Sequence, residues 1–388
     1  MDNMLTQSSQ GDPALATVGA FLHRSSFFLF PIAYVVQNPS LAAYNEVQSG
    51  LKIYHIFAAL LFLVSAYRAS FRALAVFLVF VSIATFGNVY NQIPEITVRF
   101  MNAVGFAMVF LAAAGATPED RDAAKLGAAV AAVLLMLTTL WQLPVIISTA
   151  ATNVEGRALF PTLMAGGINI QASTIIILCL FWIGFSGLVL TGLLVLVYFL
   201  TQSRSIFLAV PAVFLDALGR RYQRGQGLRN SVIGIVGIFG AVCVLYFEII
   251  DLDKLVNRFY SVFSGDAGTE GRSLLYSIAF RSSECYVFGC GFGSASYLID
   301  DANYFELFED NFHNVYLQFL VESGVSGLLV YLYMLVSSYI GARNRLADSG
   351  LSISIICVGV MGLVEFNGLE FLTAFLIGMG FSRGRYSA

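Results

Sequence analysis

Charge is what this 388-residue sequence has least of: Asp, Glu, Lys and Arg together make up 12% of it, against 58% hydrophobic residues. The apolar residues come in runs of about twenty that recur along almost the whole length, which excludes a water-soluble fold. The runs are continuous rather than alternating, so they do not describe a β-barrel either. A net charge of −3 offers no basic surface to a nucleic acid. The opening MDNMLTQSSQGDP lacks a basic stretch followed by a short apolar core, so no cleavable signal is expected there. Also missing are an internal repeat, a low-complexity linker, an Asp-x-Asp pair and any His/Cys set spaced to hold a metal.

The pattern that remains is an all-α polytopic membrane protein of about 12 transmembrane helices. Spans are expected over 15–37, 51–67, 72–88, 100–116, 123–148, 172–186, 187–201, 205–219, 231–250, 314–341, 351–365 and 369–382. Four regions follow: N-terminal helices over 1–150, central helices over 151–250, a large loop over 251–313 between the ninth and tenth helices, and C-terminal helices over 314–388. Arg68, Arg72, Arg121, Lys125, Arg220, Arg221, Arg224, Arg229, Arg343, Arg345, Arg383 and Arg385 fall in one set of short connections. The positive-inside bias makes that side cytoplasmic, with both termini, and places the large loop outside or in a periplasm. The stretch 172–200 has no polar break, and two helices of about fourteen residues would each cover only about 21 Å of a roughly 30 Å core. A split at Gly184–Gly187 preserves the charge bias; a tilted or re-entrant hairpin is the alternative. Within the loop, 270–283 reads as a short amphipathic helix that lies near the membrane surface and packs over the bundle.

Polar residues are few enough to weigh singly. His23, beside Arg24 in the first span, and His55, in the second, read as buried, hydrogen-bonded helix residues. His313 stands where the outer loop meets a helix, followed by Asn314. An imidazole there can accept a proton near neutral pH while staying in reach of water. A helix cap is the plainer reading, and Asn314 alone would supply it. Arg157, Arg204 and Arg272 all map to the outer side, against the charge bias. Arg204 interrupts apolar sequence between two helices and needs an anion: a phosphate or pyrophosphate gripped by its planar fork, or a carboxylate such as Asp251 or Glu248. Gly289, Gly291 and Gly293 allow backbone amides to approach an anion, or simply form a turn. Glu322, some two and a half turns beyond His313, either pairs with a buried arginine or caps a polar core. The acidic run Asp300, Asp301, Glu306, Glu309, Asp310 reads as solvated surface. Cys179, Cys243 and Cys357 lie in spans as packing residues, whereas Cys285 and Cys290 share the outer loop and are left open between thiols and a disulfide.

Taken in order, these motifs resemble the O-antigen ligase and polymerase superfamily, which includes the Wzy-type polysaccharide polymerases. His313–Asn314, nine residues, Gly324, two residues and Gly327 look like the H-[NSQ]-x9-G-x-x-G signature of the ligases. Before it come Asn169 in GGIN, Arg204 in S-R-S, and a loop arginine, Arg272, trailed by G-x-G-x-G over Gly289–Gly293. The likeness covers roughly 155–340, and GGIN departs from the commoner N-P-N form. It implies a GT-C-like glycosyltransferase of the bacterial inner membrane that uses no cofactor or metal and acts on undecaprenyl-diphosphate-linked glycans at the periplasmic face. On that likeness His313, Arg204 and Arg272 are catalytic, and Arg157, Asn169, Gly291, Gly293, Asn314 and Glu322 bind substrate. The acceptor is a second lipid-linked glycan if the protein is a polymerase, the breadth of that branch being the ground for preferring it. It is lipid A–core if the protein is a ligase, and a protein in a more distant relative. A chain-length regulator is a possible partner of the polymerase. A transporter would place ionisable groups near the midplane of repeated helices, whereas here they cluster at one face.

Overall fold

The structure is a computed structural model, and it describes residues 13–37, 52–91, 96–150, 163–164, 167–183, 197, 267–302, 311–363 and 370–382. Among these there are eleven α-helices and no strand. They are α1 (Pro13–Val35), α2 (Ile53–Ser65), α3 (Phe71–Asn91), α4 (Ile96–Ala113), α5 (Pro118–Ala150), α6 (Gly167–Ile183), α7 (Ala267–Arg281), α8 (Ser294–Asp301), α9 (Val315–Ile340), α10 (Ser349–Met361) and α11 (Phe371–Phe381). Thr17–Val35, Phe71–Asn91, Pro118–Gln142 and Val315–Arg345 are long and apolar enough to cross a membrane, and five shorter apolar helices accompany them. The protein is a multi-pass membrane protein.

Two helix starts show how local chemistry sets the boundaries. α5 begins five residues before the expected span, because Thr117 and Asp120 cap it reciprocally: the Thr117 N–H donates to Asp120 Oδ2 at 2.8 Å, and the Asp120 N–H donates to Thr117 Oγ1 at 3.3 Å. Pro118 occupies the first helical position, where no N–H is needed. Asp348 caps the start of α10: its side chain accepts from the Leu351 N–H at 3.1 Å and meets Lys125 Nζ at 2.7 Å. Both remaining histidines are structural: His23 is buried with Nδ1 2.8 Å from Asp120 Oδ1, and His55 Nδ1 accepts from the Lys52 N–H at 2.9 Å to close the first turn of α2.

α10 and α11 are buried on nearly every side and form the centre of the bundle; α11 packs on α4 and α9, and α10 on α6 and α9. α3 and α5 present large exposed apolar side chains (Leu78, Phe86, Leu137, Trp141) suited to lipid. One end of the bundle is basic: Arg72 donates to Tyr333 and Ser337, Arg121 to Ser382, and Arg345 to the Gly380 carbonyl. The opposite end carries α7, α8 and the start of α9. α6 finishes at the basic end, where Gly350 lies against the Phe181 carbonyl, whereas α7 begins at the opposite end. The spans expected over 187–201, 205–219 and 231–250 lie outside the described residues.

Candidate active site at the loop end of the bundle

The amphipathic segment read at 270–283 is α7, Ala267–Arg281. Its Leu275, Ile278 and Ala279 join Cys285, Ala295, Ile299, Phe312 and Val321 in a small core separate from that of the bundle. The loop therefore packs directly on the first turns of α9. Cys285 and Cys290, left open by the sequence, are joined by a disulfide with Cα atoms 4.9 Å apart.

α9 is broken at Gly324, where φ is 70° and ψ is −176°. The break deprives the Val321 and Glu322 carbonyls and the Val325 N–H of helical partners, and the loop replaces them. Cys290 N–H donates to Val321 O at 2.8 Å, Gly291 N–H to Glu322 O at 2.9 Å, and Val325 N–H to Tyr286 O at 2.7 Å. Gly289, Gly291 and Gly293 all have positive φ (80°, 93° and 99°), which lets the loop turn back on itself at each step. Phe292 points into the main core, with ring centroids 6.1 Å from Phe80 and 6.0 Å from Phe319. The glycine cluster is thus a clamp on a broken helix. Its amides are engaged by Cys285, Val321 and Glu322, so Gly291 and Gly293 do not offer the open anion cradle their spacing suggested.

Glu322 lies beneath this clamp, buried rather than at the mouth. Its Oε1 accepts from the Gly293 N–H at 2.9 Å and from Gln318 Nε2 at 2.5 Å. Arg99, in the first turn of α4, is within electrostatic reach of it and of Glu370. Of the two roles the sequence held open for Glu322, the hydrogen bonds from Gly293 and Gln318 fit the polar core. Arg99 itself was missed. It shows the same signal as Arg157 and Arg272, an arginine at the non-basic end of an apolar run.

His313 is half-buried and has a left-handed backbone, φ 48°, rare for a residue with a Cβ. The turn is held on both sides. Asn311 Oδ1 accepts from the His313 N–H at 2.9 Å; Asn314 Oδ1 caps α9 by accepting from Tyr316 N–H at 3.0 Å and Leu317 N–H at 3.1 Å. Asn314 Nδ2 also donates to the Leu363 carbonyl at 3.1 Å, and Tyr276 OH of α7 donates to the same oxygen at 3.3 Å. Asn314 therefore carries the cap and ties together α7, α9 and the end of α10. Arg272 sits one helical turn before Tyr276, on the same face of α7. Asn169 occupies the first turn of α6. The side chains of Arg272 and Asn169, and the whole of Arg157 and Arg204, lie outside the described residues.

The comparisons bear on the same stretch. Residues 188–332 match the O-Antigen ligase family, Wzy_C; the matched stretch ends just beyond the clamp and includes Arg204, Arg272 and the His313 turn. None of the curated proteins compared with the chain matches it.

Proposed function

We propose, from the Wzy_C O-antigen ligase domain that the chain carries, that it joins undecaprenyl-diphosphate-linked oligosaccharide units at the periplasmic face of the inner membrane, as a polymerase. Glycan transfer of the O-antigen ligase or polymerase type is what the domain supports; polymerisation is our narrower reading. The observation that carries it is the His313 turn: an imidazole on a strained, doubly held backbone, at the non-basic end of a membrane bundle, beside the helix bearing Arg272.

In the reaction we infer, an acceptor hydroxyl attacks the anomeric carbon of the donor glycan. A new glycosidic bond forms as the bond from that carbon to the diphosphate oxygen breaks. His313 orients the hydroxyl and takes its proton. Arg204 and Arg272, with Arg157, hold the diphosphate and stabilise the charge that grows on it as it leaves. Asn169 is a further substrate contact, and Asn314 fixes the geometry of the turn. Gly291, Gly293 and Glu322 act as scaffold.

Transfer of a finished glycan to lipid A–core is the second reading, favoured by the description of the matched family as a ligase. Deleting the gene and sizing the glycans on the carrier and at the cell surface separates the two. Surface glycan reduced to single repeat units supports polymerisation; long chains stranded on the carrier support ligation. If His313→Ala, Arg204→Ala and Arg272→Ala each restore full-length glycan to the deletion strain, the catalytic assignment fails.

A further inference from the structure

A chain of buried hydrogen bonds runs from the clamp to the His313 turn through a residue that none of the motifs includes. Gln318, one turn into α9 and 2% exposed, uses both ends of its amide. Its Nε2 donates to Glu322 Oε1 at 2.5 Å, and its Oε1 accepts from the Phe312 N–H at 3.1 Å. Glu322 is in turn tied to the Gly293 N–H and lies within reach of Arg99. At the other end, Phe312 directly precedes His313, and its ring is fully buried in the loop core. The left-handed φ of His313 is unfavourable for a residue with a Cβ and persists only if its neighbours hold it. On the N-terminal side those neighbours are Asn311 through its side chain and Phe312 through Gln318.

We propose that Gln318 is a positioning residue, a strap between Glu322 and the Phe312 backbone that keeps the His313 turn in its reactive conformation. This rests on the reading of His313 as the group that handles the acceptor proton. The amide is suited to the task because it donates at one end to a carboxylate and accepts at the other from a backbone N–H, which neither a hydrocarbon nor a carboxylate does. A displacement of about 1 Å at a reacting group costs on the order of 100-fold in turnover, so loss of the strap should lower kcat and leave KM nearly unchanged.

The test uses full-length protein in lipid nanodiscs and lipid-linked glycan extracted from the deletion strain. Gln318→Leu removes both hydrogen bonds, and Gln318→Glu removes the donor and sets two carboxylates together. The double exchange Gln318→Glu with Glu322→Gln restores a donor–acceptor pair in the reverse sense. The expected result is a kcat reduced about 100-fold in each single variant at unchanged KM, with the double exchange recovering to within a few-fold of wild type. Three results would overturn the proposal: wild-type kcat in Gln318→Glu, a raised KM at unchanged kcat, or no recovery in the double exchange. If Gln318→Leu fails to fold, the comparison of Gln318→Glu with the double exchange still decides. His313→Ala distinguishes the two levels. Wild-type turnover in that variant removes the underlying reading and the strap with it. An inactive His313→Ala beside a fully active, folded Gln318→Leu removes the strap alone.

Discussion

Gly324 shows how a signature residue acquires a physical meaning. A Cβ at this position would lie 2.6 Å from the Val287 carbonyl and 2.8 Å from the Gly289 N–H, on a backbone with φ 70°. A backbone with φ 70° and ψ −176° is essentially reserved for glycine and costs a residue with a side chain about 1–3 kcal/mol, and the contacts add to it. Gly19, in α1, has nothing within 4 Å of the equivalent point. Gly324→Ala should therefore lower unfolding stability in mixed micelles by at least about 1–3 kcal/mol, while Gly19→Ala leaves it unchanged or slightly raised. Equal stabilities for the two variants would refute this account of the break. At this scale the sequence was legible where one residue satisfies one need, as with Asn314 at the helix start. It was silent on Gln318, because a glutamine in an apolar helix announces no partner until the chain six residues earlier has folded back over it.

At the scale of elements, the sequence showed that a helix lies in the loop and that it has an apolar face; it did not show what that face meets. The answer is the first turns of α9, with the disulfide Cys285–Cys290 bracing the turn between α7 and the clamp. A bridge across a separation of five residues restrains the unfolded chain by about 2 kcal/mol. Replacing both cysteines by serine should lower the unfolding temperature accordingly, and reductant should do the same to the wild type but not to the variant. Iodoacetamide labelling under denaturing conditions checks the premise: without reductant neither Cys285 nor Cys290 should gain mass, and after reduction both should. The earlier start of α5 is written locally in T-P-E-D, through the capping pair Thr117 and Asp120, which the apolar span expected from 123 passed over.

For the whole molecule, the segregation of Arg68, Arg72, Arg121, Lys125, Arg343 and Arg345 at one end predicts that this end faces the cytoplasm. A membrane-impermeant maleimide should label Ser273→Cys in intact spheroplasts and reach Tyr67→Cys, which is 74% exposed at the basic end, only after permeabilisation. The opposite pattern would invert the orientation. The sequence by itself determined the membrane class, the helical periods and the charge bias, because each depends on residues close along the chain and on the solvent they prefer. Only the tertiary structure decided that the G-x-G-x-G loop clamps a broken helix, that Glu322 is sealed beneath it, and that Arg99 from the N-terminal helices approaches the site. Those outcomes depend on which unpaired groups meet once segments as far apart as Gly293 and Glu322, 29 residues along the chain, or the much more distant α4, come together. Under the low dielectric of a membrane bundle each such group has to find a partner, and the fold chooses which.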